Sequence, residues 1–240
     1  MIYRIEETTS TNDEARSERY RHGDTVWAER QTAGRGQRGH SWMSGEGMNL
    51  TFSLVWEPRF LPVRDQFALS EAVALGLTDL TEALGVPCRI KWTNDIYAGD
   101  RKLMGILIEH GLTGGRLART IVGIGINVNQ TDFDASLPNP TSLARETGYP
   151  FDRREVLERA VQMVAARYGE LERDREALHR DYLRRLYRLG ERQRFRLPSG
   201  EEFEGTLRGV LPSGELQVEG PGGRVEAYLF RQIEFVIAGR

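Results

Sequence analysis

The sequence of 240 residues has very little cysteine and very little lysine. Cys88 is the only cysteine, which excludes a disulfide framework and a metal cage built from cysteines. Of the 33 lysines and arginines only Lys91 and Lys102 are lysines. The two residue types differ where a site needs a compact ammonium on a flexible stem. Because both lysines fall in one short polar segment, we expect a chemical role there, the alternative being chance survival in a surface hairpin.

Long apolar runs and a strong charge imbalance are also absent. A net charge of −2 and an isoelectric point near 6.2 give no overall attraction for nucleic acid or for an anionic membrane. No apolar run approaches the length of a membrane span, and the first residues resemble neither a signal peptide nor a transit peptide. The composition therefore predicts a cytoplasmic protein that binds neither nucleic acid nor membrane.

Apolar periodicity predicts an α+β fold. The clearest helix spans Asp65–Leu84 and is ended by Gly85 and Pro87. Further helices are expected from Asp152 and over Glu176–Leu189. The expected strands are Met1–Glu6, Thr25–Glu29, Asn49–Trp56, Arg89–Ala98, Arg101–Glu109 and Leu117–Val128, with a hairpin turn at Gly99-Asp100.

The character of the sequence changes near residue 190. Short strands separated by Pro-Ser-Gly and Gly-Pro-Gly-Gly turns follow, which is typical of a small all-β barrel. The expected strands are Arg194–Leu197, Phe203–Val210, Glu215–Glu219, Arg224–Tyr228 and Ile233–Ile237. We expect one domain over residues 1–189 and a second over residues 190–240.

A polar stretch follows the first strand. Thr11 with Glu14 has the spacing of a capping box and predicts a helix that runs towards Tyr20. Ser10, Thr11 and Asn12 would then place hydroxyl, amide and backbone N–H groups at the positive end of a helix. A plain N-cap is the alternative, but it explains only one of these residues.

A glycine loop runs from Gln31 to Trp42. Gly34, Gly36 and Gly39 match Gly-x-Gly-x-x-Gly, but no helix follows as dinucleotide binding requires, and His40 stands where a Walker lysine would be. Glycines allow a ligand close to the backbone, and Arg35 and Arg38 can bind an anion. We expect a phosphate or carboxylate clamp, the alternative being a mobile surface loop.

The segment from Lys91 to Lys102 also holds Asn94 and Asp95. Period-two alternation places Lys102 on the same side as Met104, Ile106 and Ile108. The lysine then either snorkels at the strand end or points into a pocket. Gly123 and Gly125 interrupt a later apolar strand that ends at Asn127. Glycines inside a strand indicate close approach of a ligand or of another backbone, the alternative being a bulged core strand.

These groups are positive donors without a nucleophile. There is no plausible Ser-His-Asp set and no metal-ligand spacing. Positive donors without a nucleophile suit phosphoryl or nucleotidyl transfer, in which positioning and charge stabilisation dominate catalysis.

Six motifs, in this order, resemble the biotin protein ligases: Ser10–Asn12, Gln31–Gly39, Trp42, Lys91–Asp95, Arg101–Gly105 and Gly123–Asn127. The likeness covers residues 1 to about 145 by motif, and the family also carries a small C-terminal barrel. It implies a class II synthetase-like domain, with a mixed or antiparallel sheet and helices on one face, and an SH3-like barrel. Because the motifs begin near residue 8, the family's N-terminal DNA-binding domain is expected to be missing, as in the monofunctional type.

The resemblance implies an ATP-dependent biotin–[acetyl-CoA-carboxylase] ligase. Biotin and ATP with Mg²⁺ would give biotinyl-5′-AMP, and a lysine of a biotin carboxyl carrier domain would then take the biotin. The implied catalytic residues are Lys102, Arg35 and Arg38, and no metal site belongs to the protein itself. The implied ligand-binding residues are Ser10, Thr11, Asn12 and Gln31 at the biotin ring, Gly34, Arg35, Gly36, Gln37, Gly105 and Gly125 along the pocket, Trp42 beside adenine, and Asn94, Asp95, Lys102 and Asn127 near the nucleotide.

Three positions depart from the family pattern. Gln37 replaces a common arginine, which we expect to loosen retention of the adenylate. Thr93 replaces a proline and should affect backbone stiffness, and His40 replaces a basic residue near the nucleotide. The alternatives are a lipoate-type ligase of the same fold and a non-catalytic module that binds a small anion or docks on the carboxylase. Exposed strand edges would allow a homodimer.

Overall fold

The computed structural model describes residues 1–39 and 41–237, with the side chain of Arg38 left out. A sheet of seven strands dominates the structure. Its strands are β1 (Ile2–Thr8), β2 (Thr25–Gln31), β3 (Leu50–Trp56), β4 (Arg89–Lys91), β5 (Asp95–Ala98), β6 (Arg101–Thr113) and β7 (Arg116–Ile126). The helices are α1 (Thr11–Glu14), α2 (Phe67–Ala83), α3 (Leu143–Thr147), α4 (Arg153–Arg173) and α5 (Arg175–Arg184).

The strand order is β1-β2-β3-β7-β6-β5-β4, and β1 and β2 pair in parallel while the other neighbours are antiparallel. The predicted mixed sheet is confirmed. The predicted strand Arg89–Ala98 is instead divided into β4 and β5. The interruption brings Asn94 against β6, where its carbonyl oxygen accepts a hydrogen bond from Ile106 N over 2.9 Å.

One face of the sheet packs against α2, α4 and α5 and forms the main core. Phe52, Leu54, Ile124 and Ile126 alternate along β3 and β7 towards this face. The helices approach closely because Gly76 of α2 lies against the backbone of α4, where a Cβ would stand 2.6 Å from Val164 Cα. The helices predicted from Asp65 and from Asp152 are confirmed, and Gly85 ends α2 with a φ of +76°. The helix predicted over Glu176–Leu189 is present as α5 but ends already at Arg184.

The opposite face is covered by α1 and the turns after it. A small apolar cluster there contains Ala15, Tyr20, Val26, Val55 and Ile121. The predicted capping box is wrong, since α1 stops at Glu14 and its N-cap is Ser10, whose side chain makes no capping bond. Glu14 accepts a hydrogen bond from the Tyr20 hydroxyl over 3.0 Å, so its carboxylate is turned away from the start of the helix.

The chain after α5 forms a second sheet of five antiparallel strands. They are β8 (Arg192–Arg196), β9 (Glu202–Val210), β10 (Leu216–Glu219), β11 (Val225–Tyr228) and β12 (Glu234–Phe235). All five predicted strands are present, in the order β11-β10-β9-β8-β12, and up to residue 237 no pairing between the edge strands closes a barrel. Trp92 Nε1 donates to Gly214 O over 2.9 Å, which joins this sheet to the turn between β4 and β5.

Candidate active site

A cavity opens on the sheet face that carries α1. It lies over β3, β7 and β6 and is bordered by the glycine loop. Its walls are Ser10, Thr11, Asn12, Gln31, Arg35, Gly36, Gln37, Trp42, Thr51, Asn94, Lys102, Gly105, Ile106, Leu107, Gly123, Ile124 and Gly125. Residues from six separate parts of the sequence therefore meet in one pocket.

Three glycines form the floor of this cavity. Gly105 and Gly125 are opposite each other in the β6–β7 register, and Gly123 lies two residues before Gly125 on the same face. A Cβ at Gly123 would stand 2.3 Å from Asn12 Oδ1, and one at Gly125 would stand 2.2 Å from the Trp42 ring. The predicted close approach is thus made by two side chains of the pocket.

One end of the cavity is a neutral hydrogen-bonding cluster. Gln31 Oε1 accepts from Thr11 N over 2.7 Å. Ser53 Oγ lies 2.8 Å from Thr11 Oγ1 and 2.6 Å from Asn12 Oδ1. Thr11, Asn12 and Ser53 are buried, so these bonds are shielded from water. Ser53 was not predicted, although its alternation with the apolar residues of β3 places it on the pocket face.

Glu109 of β6 is a second residue that the sequence argument missed. Its carboxylate accepts from Asn12 Nδ2 over 2.8 Å, from Arg16 Nη2 over 2.9 Å and from Arg35 Nη2 over 3.1 Å. Burial acts to raise the pKa of Glu109, but the Asn12 hydrogen bond and the charges of Arg35 and Arg16 lower it below its usual value. The group is therefore ionised at neutral pH. Arg35 also contacts Asp13 Oδ1 over 2.7 Å.

Lys102 reaches the same cavity because of an irregularity in the β5–β6 pairing. Ile96 pairs with Met104 but Tyr97 pairs with Lys102, which leaves Leu103 as an extra residue on β6. The predicted alternation of Lys102 with Met104 is therefore wrong, since a bulge shifts the side chains on one side of it to the other face. Lys102 shares its face with Gly105, where a Cβ would stand 3.5 Å from Lys102 Cε.

Lys102 marks the cationic end of the cavity. Its Nζ lies 2.7 Å from Asp95 Oδ1 and 5.8 Å from the centre of the Trp42 ring. Asn94 Nδ2 donates to Ile106 O, and Thr93 Oγ1 donates to Gln37 Oε1 over 3.4 Å. A second cavity continues from this end towards the second sheet, between Gln37, Trp42, Asp95, Lys102 and Phe230.

Most of the predicted site residues line the first cavity, but three do not. Asp95 borders the second cavity. Asn127 donates to Thr141 O over 2.9 Å and borders a third, more apolar cavity beside Trp42 and Lys102. Gly34 closes the glycine loop, since its O accepts from Trp42 N over 2.9 Å. The side chain of Arg38 and the whole of His40 lie outside the described residues.

In residues 1–39 and 41–237, no three His, Cys, Asp or Glu side chains converge as a metal site would require. None of the helices described here has both the length and the apolar character needed to cross a bilayer.

Comparison with known proteins gives consistent matches. The model of the biotin/lipoate A/B protein ligase family matches residues 1–127. The Bacillus subtilis bifunctional ligase/repressor BirA is 36% identical over 176 residues, which are 71% of this chain and 54% of BirA. The biotin–[acetyl-CoA-carboxylase] ligase of Paracoccus denitrificans is 34% identical over 230 residues, 90% of this chain and 93% of that one.

A solved structure matches along nearly the whole chain. The biotin protein ligase from Aquifex aeolicus, in complex with biotin and ATP, has a TM-score of 0.83 and 26% identity and covers 99% of both chains. The chain nevertheless spans only about half to two thirds of the length of several curated relatives, namely 54% of the Bacillus protein and 63% of the BirA of Escherichia coli.

Proposed function

The chain belongs to the biotin/lipoate A/B protein ligase family, and on that premise we propose that it is a biotin protein ligase. It would activate biotin with ATP to biotinyl-5′-AMP and then biotinylate a lysine of a biotin carboxyl carrier domain. The Aquifex relative was solved with biotin and ATP, and the Paracoccus relative is named for acetyl-CoA carboxylase. These ligands and this partner are what we propose for the present chain.

One observation carries the proposal: a single cavity has a neutral hydrogen-bonding end and a cationic end, joined across a floor of glycines. Biotin has the matching polarity, with a ureido ring at one end and a carboxylate at the other. Ser10, Thr11, Asn12 and Gln31 would bind the ring. Lys102 would receive the carboxylate and the α-phosphate at the opposite end, where the second cavity gives room for the nucleotide.

In the first step a carboxylate oxygen of biotin bonds to the α-phosphorus, and the bond to pyrophosphate breaks. Two anions repel each other, so their approach requires fixed positive charge. Lys102 would supply it at the cationic end, and Arg35, which lies beside Glu109 near the ring end, would join it by reorienting, with Arg38 proposed as a third cation. Lys102 is paired with Asp95, and Arg35 with Asp13 and Glu109. We propose that both cations exchange these partners for substrate oxygens.

In the second step the acceptor lysine amine attacks the biotinyl carbonyl carbon, AMP leaves, and the amine loses a proton. The glycine loop would exclude water from the mixed anhydride meanwhile. We treat Mg²⁺ as part of the ATP substrate, since this ion is usually held by phosphates and one or two carboxylates. Asp95, Asn94 and Asn127 are the oxygen donors near the proposed nucleotide side.

Three further features belong to the proposal. We place the reaction in the cytoplasm because that compartment supplies ATP.

We keep residues 1–189 and 190–240 as separate domains, since α5 ends at Arg184 and β8 begins at Arg192. Pairing of exposed sheet edges, such as that of β1, would be the route to a homodimer.

A lipoate-type ligase is the competing function within the family. The dithiolane ring of lipoate has no N–H or carbonyl group, so it could not pair with Gln31 Nε2 or with the remaining acceptor sites of Thr11 and Asn12. The neutral end of the cavity therefore favours biotin.

ATP–pyrophosphate exchange tests the proposal. We expect exchange that requires biotin and that falls at least about 100-fold in Lys102→Ala, because a donor to developing charge is lost. Exchange with lipoate or octanoate instead would move the chain to the lipoate branch. Full exchange in Lys102→Ala would reject the assigned role of that residue, and no exchange with any acid would favour a binding module.

A further inference from the structure

Glu109 ends a chain of hydrogen bonds that determines which groups of the pocket can donate and which can accept. We propose that Glu109 is a positioning residue that fixes this polarity through Asn12, Ser53 and Thr11, so that the pocket selects a ligand with two N–H donors and one carbonyl. The identity of the ligand as biotin rests on the proposed function, whereas the polarity follows from the contacts below.

The first link is the amide of Asn12. An ionised carboxylate only accepts hydrogen bonds, so Glu109 Oε2 at 2.8 Å requires the NH₂ group of Asn12 on its side. The second amide hydrogen is directed to Leu107 O, 3.3 Å away. Asn12 Oδ1 consequently faces Ser53, and a lone pair on this oxygen is all that the side chain has left to offer a ligand.

The second link is the hydroxyl of Ser53, which has a single hydrogen. Asn12 Oδ1 can only accept, so Ser53 donates to it over 2.6 Å. The remaining 2.8 Å contact must then have Thr11 as its donor and Ser53 as its acceptor. Because the Thr11 hydrogen is used in this way, the Thr11 hydroxyl also faces a ligand as an acceptor only.

Gln31 completes the pattern with the opposite polarity. Its Oε1 accepts from Thr11 N over 2.7 Å, which leaves Nε2 as a donor for a ligand. Together these three residues offer two acceptors, on Asn12 and Thr11, and one donor, on Gln31. The Ser10 hydroxyl at the same end can turn either to donate or to accept, so it does not change this pattern. A cyclic urea offers two N–H donors and one carbonyl acceptor. Selectivity follows because a ligand of other polarity would leave buried groups unpaired.

Glu109→Gln tests the inference, because the new amide can present either an oxygen or an N–H group and so no longer fixes Asn12. In the exchange assay we expect the KM for biotin to rise about three- to tenfold, which corresponds to the loss of one hydrogen bond to the ligand. The kcat and the KM for ATP should stay within about twofold. A residue that only supported the fold would change all three values and lower the melting temperature.

Two further variants separate the polarity from the charge of Glu109. Ser53→Ala breaks the chain in its middle without changing any charge, and it serves alone if Glu109→Gln does not fold. It should raise the KM for biotin by a similar factor. The KM of the double variant should be about as high as that of the more impaired single variant, since both changes act on one network. Asp13→Asn frees Arg35 from its other carboxylate without touching Asn12, and its KM for biotin should stay near the native value.

The inference is overturned if Glu109→Gln and Ser53→Ala both keep the native KM for biotin, if their effects simply add, or if Asp13→Asn raises that KM equally. Failure of the proposed function would be visible separately, as native protein that shows no exchange with biotin. In that case 2-imidazolidinone, a bare cyclic urea, would be the probe in ligand-observed NMR. Weaker binding to Glu109→Gln than to native protein would support the inference, and equal binding would reject it.

Discussion

The indole of Trp42 lies directly against Gly125, and a Cβ on that glycine would stand 2.2 Å from the ring atom Cε2. The same ring lies over Gly105 on the neighbouring strand, where a Cβ would stand 2.9 Å from Cζ3. A tryptophan of the glycine loop can therefore reach the sheet only because both paired positions lack a side chain. The indole separates the proposed ring site from the second cavity.

Gly125→Ala should displace the Trp42 indole and impair the nucleotide side of the site. We expect the KM for ATP to rise at least about tenfold, since contacts under 3 Å to a rigid ring cannot be relieved by small shifts. Steady-state exchange at varied ATP measures this. Gly220→Ala is the matched control, because nothing lies within 4 Å of that position and its φ is not positive. Equal KM values for the two variants would contradict the prediction.

Lys102→Arg should inactivate the protein although the charge is kept. Lys102 Nζ sits in a tight ion pair, 2.7 Å from Asp95, and a planar guanidinium cannot occupy the place of a compact ammonium. We expect exchange to fall about 100-fold. Lys91→Arg is the matched comparison, since its ammonium lies over the rings of Tyr97 and Phe235, where a guanidinium also binds well. Similar activities in the two variants would show that the residue type at 102 is unimportant.

Gln37→Arg should reduce the escape of the adenylate. Gln37 borders both the first and the second cavity, and its neighbour Thr93 donates to its Oε1 over 3.4 Å. A guanidinium there would add a charge-assisted contact to the phosphate. We expect several-fold less free biotinyl-AMP per turnover, measured by chromatography of quenched reactions. Gln217→Arg adds the same charge on β10 and should release as much as native protein. Equal release from Gln37→Arg and native protein would contradict the prediction.

Asp79→Asn should lower stability in a pH-dependent way. Asp79 of α2 bonds Arg167 Nε over 2.6 Å and Arg185 Nη1 over 2.7 Å, tying α2 to α4 and to the residue after α5. Burial acts to raise the pKa of Asp79, but Arg167 and Arg185 lower it below 3.8. Its stabilisation is thus present above the usual carboxyl pKa and is lost as the pH falls through the depressed one. At pH 7 we expect a loss of about 2 kcal/mol in the free energy of unfolding.

Urea unfolding at pH 7 and near pH 3 measures this difference, which should shrink at the lower pH. Glu158→Gln removes an exposed partner of Arg154 and should leave the unfolding free energy unchanged. A loss for Asp79→Asn that is the same at both pH values would show that the carboxylate charge is not responsible.

The fold was largely predictable because its long elements carry strong periodic signals. The helix from Asp65 was expected almost as it is found, and the Asp152 N-cap accepts from Glu155 N over 2.9 Å. Short elements escaped prediction. Helix α3, with Ser142 as its N-cap, spans only a few residues, and α1 ends early because its Glu14 bonds Tyr20 rather than the helix start.

The site was predictable as a set of residues but not as an arrangement. A polar helix start revealed Asn12, a glycine-rich loop revealed Arg35, and the scarcity of lysine revealed Lys102. The face that Lys102 uses depends on the extra residue Leu103, and nothing in the run from Lys102 to Gly105 distinguishes a bulge from a regular strand. Glu109 was missed because it follows an apolar strand segment and its partners lie far away in the chain.

The scarcity of lysine bears on what happens to an activated acyl group that leaves its pocket. A mixed anhydride acylates free amines, whereas a guanidinium stays protonated and unreactive near neutral pH. Of the two lysines, Lys102 is ion-paired inside the site and Lys91 lies against aromatic rings. If the chain forms an acyl-adenylate as proposed, it presents few side-chain amines to that product, so that escaped acyl groups would label neighbouring proteins in preference to the chain itself.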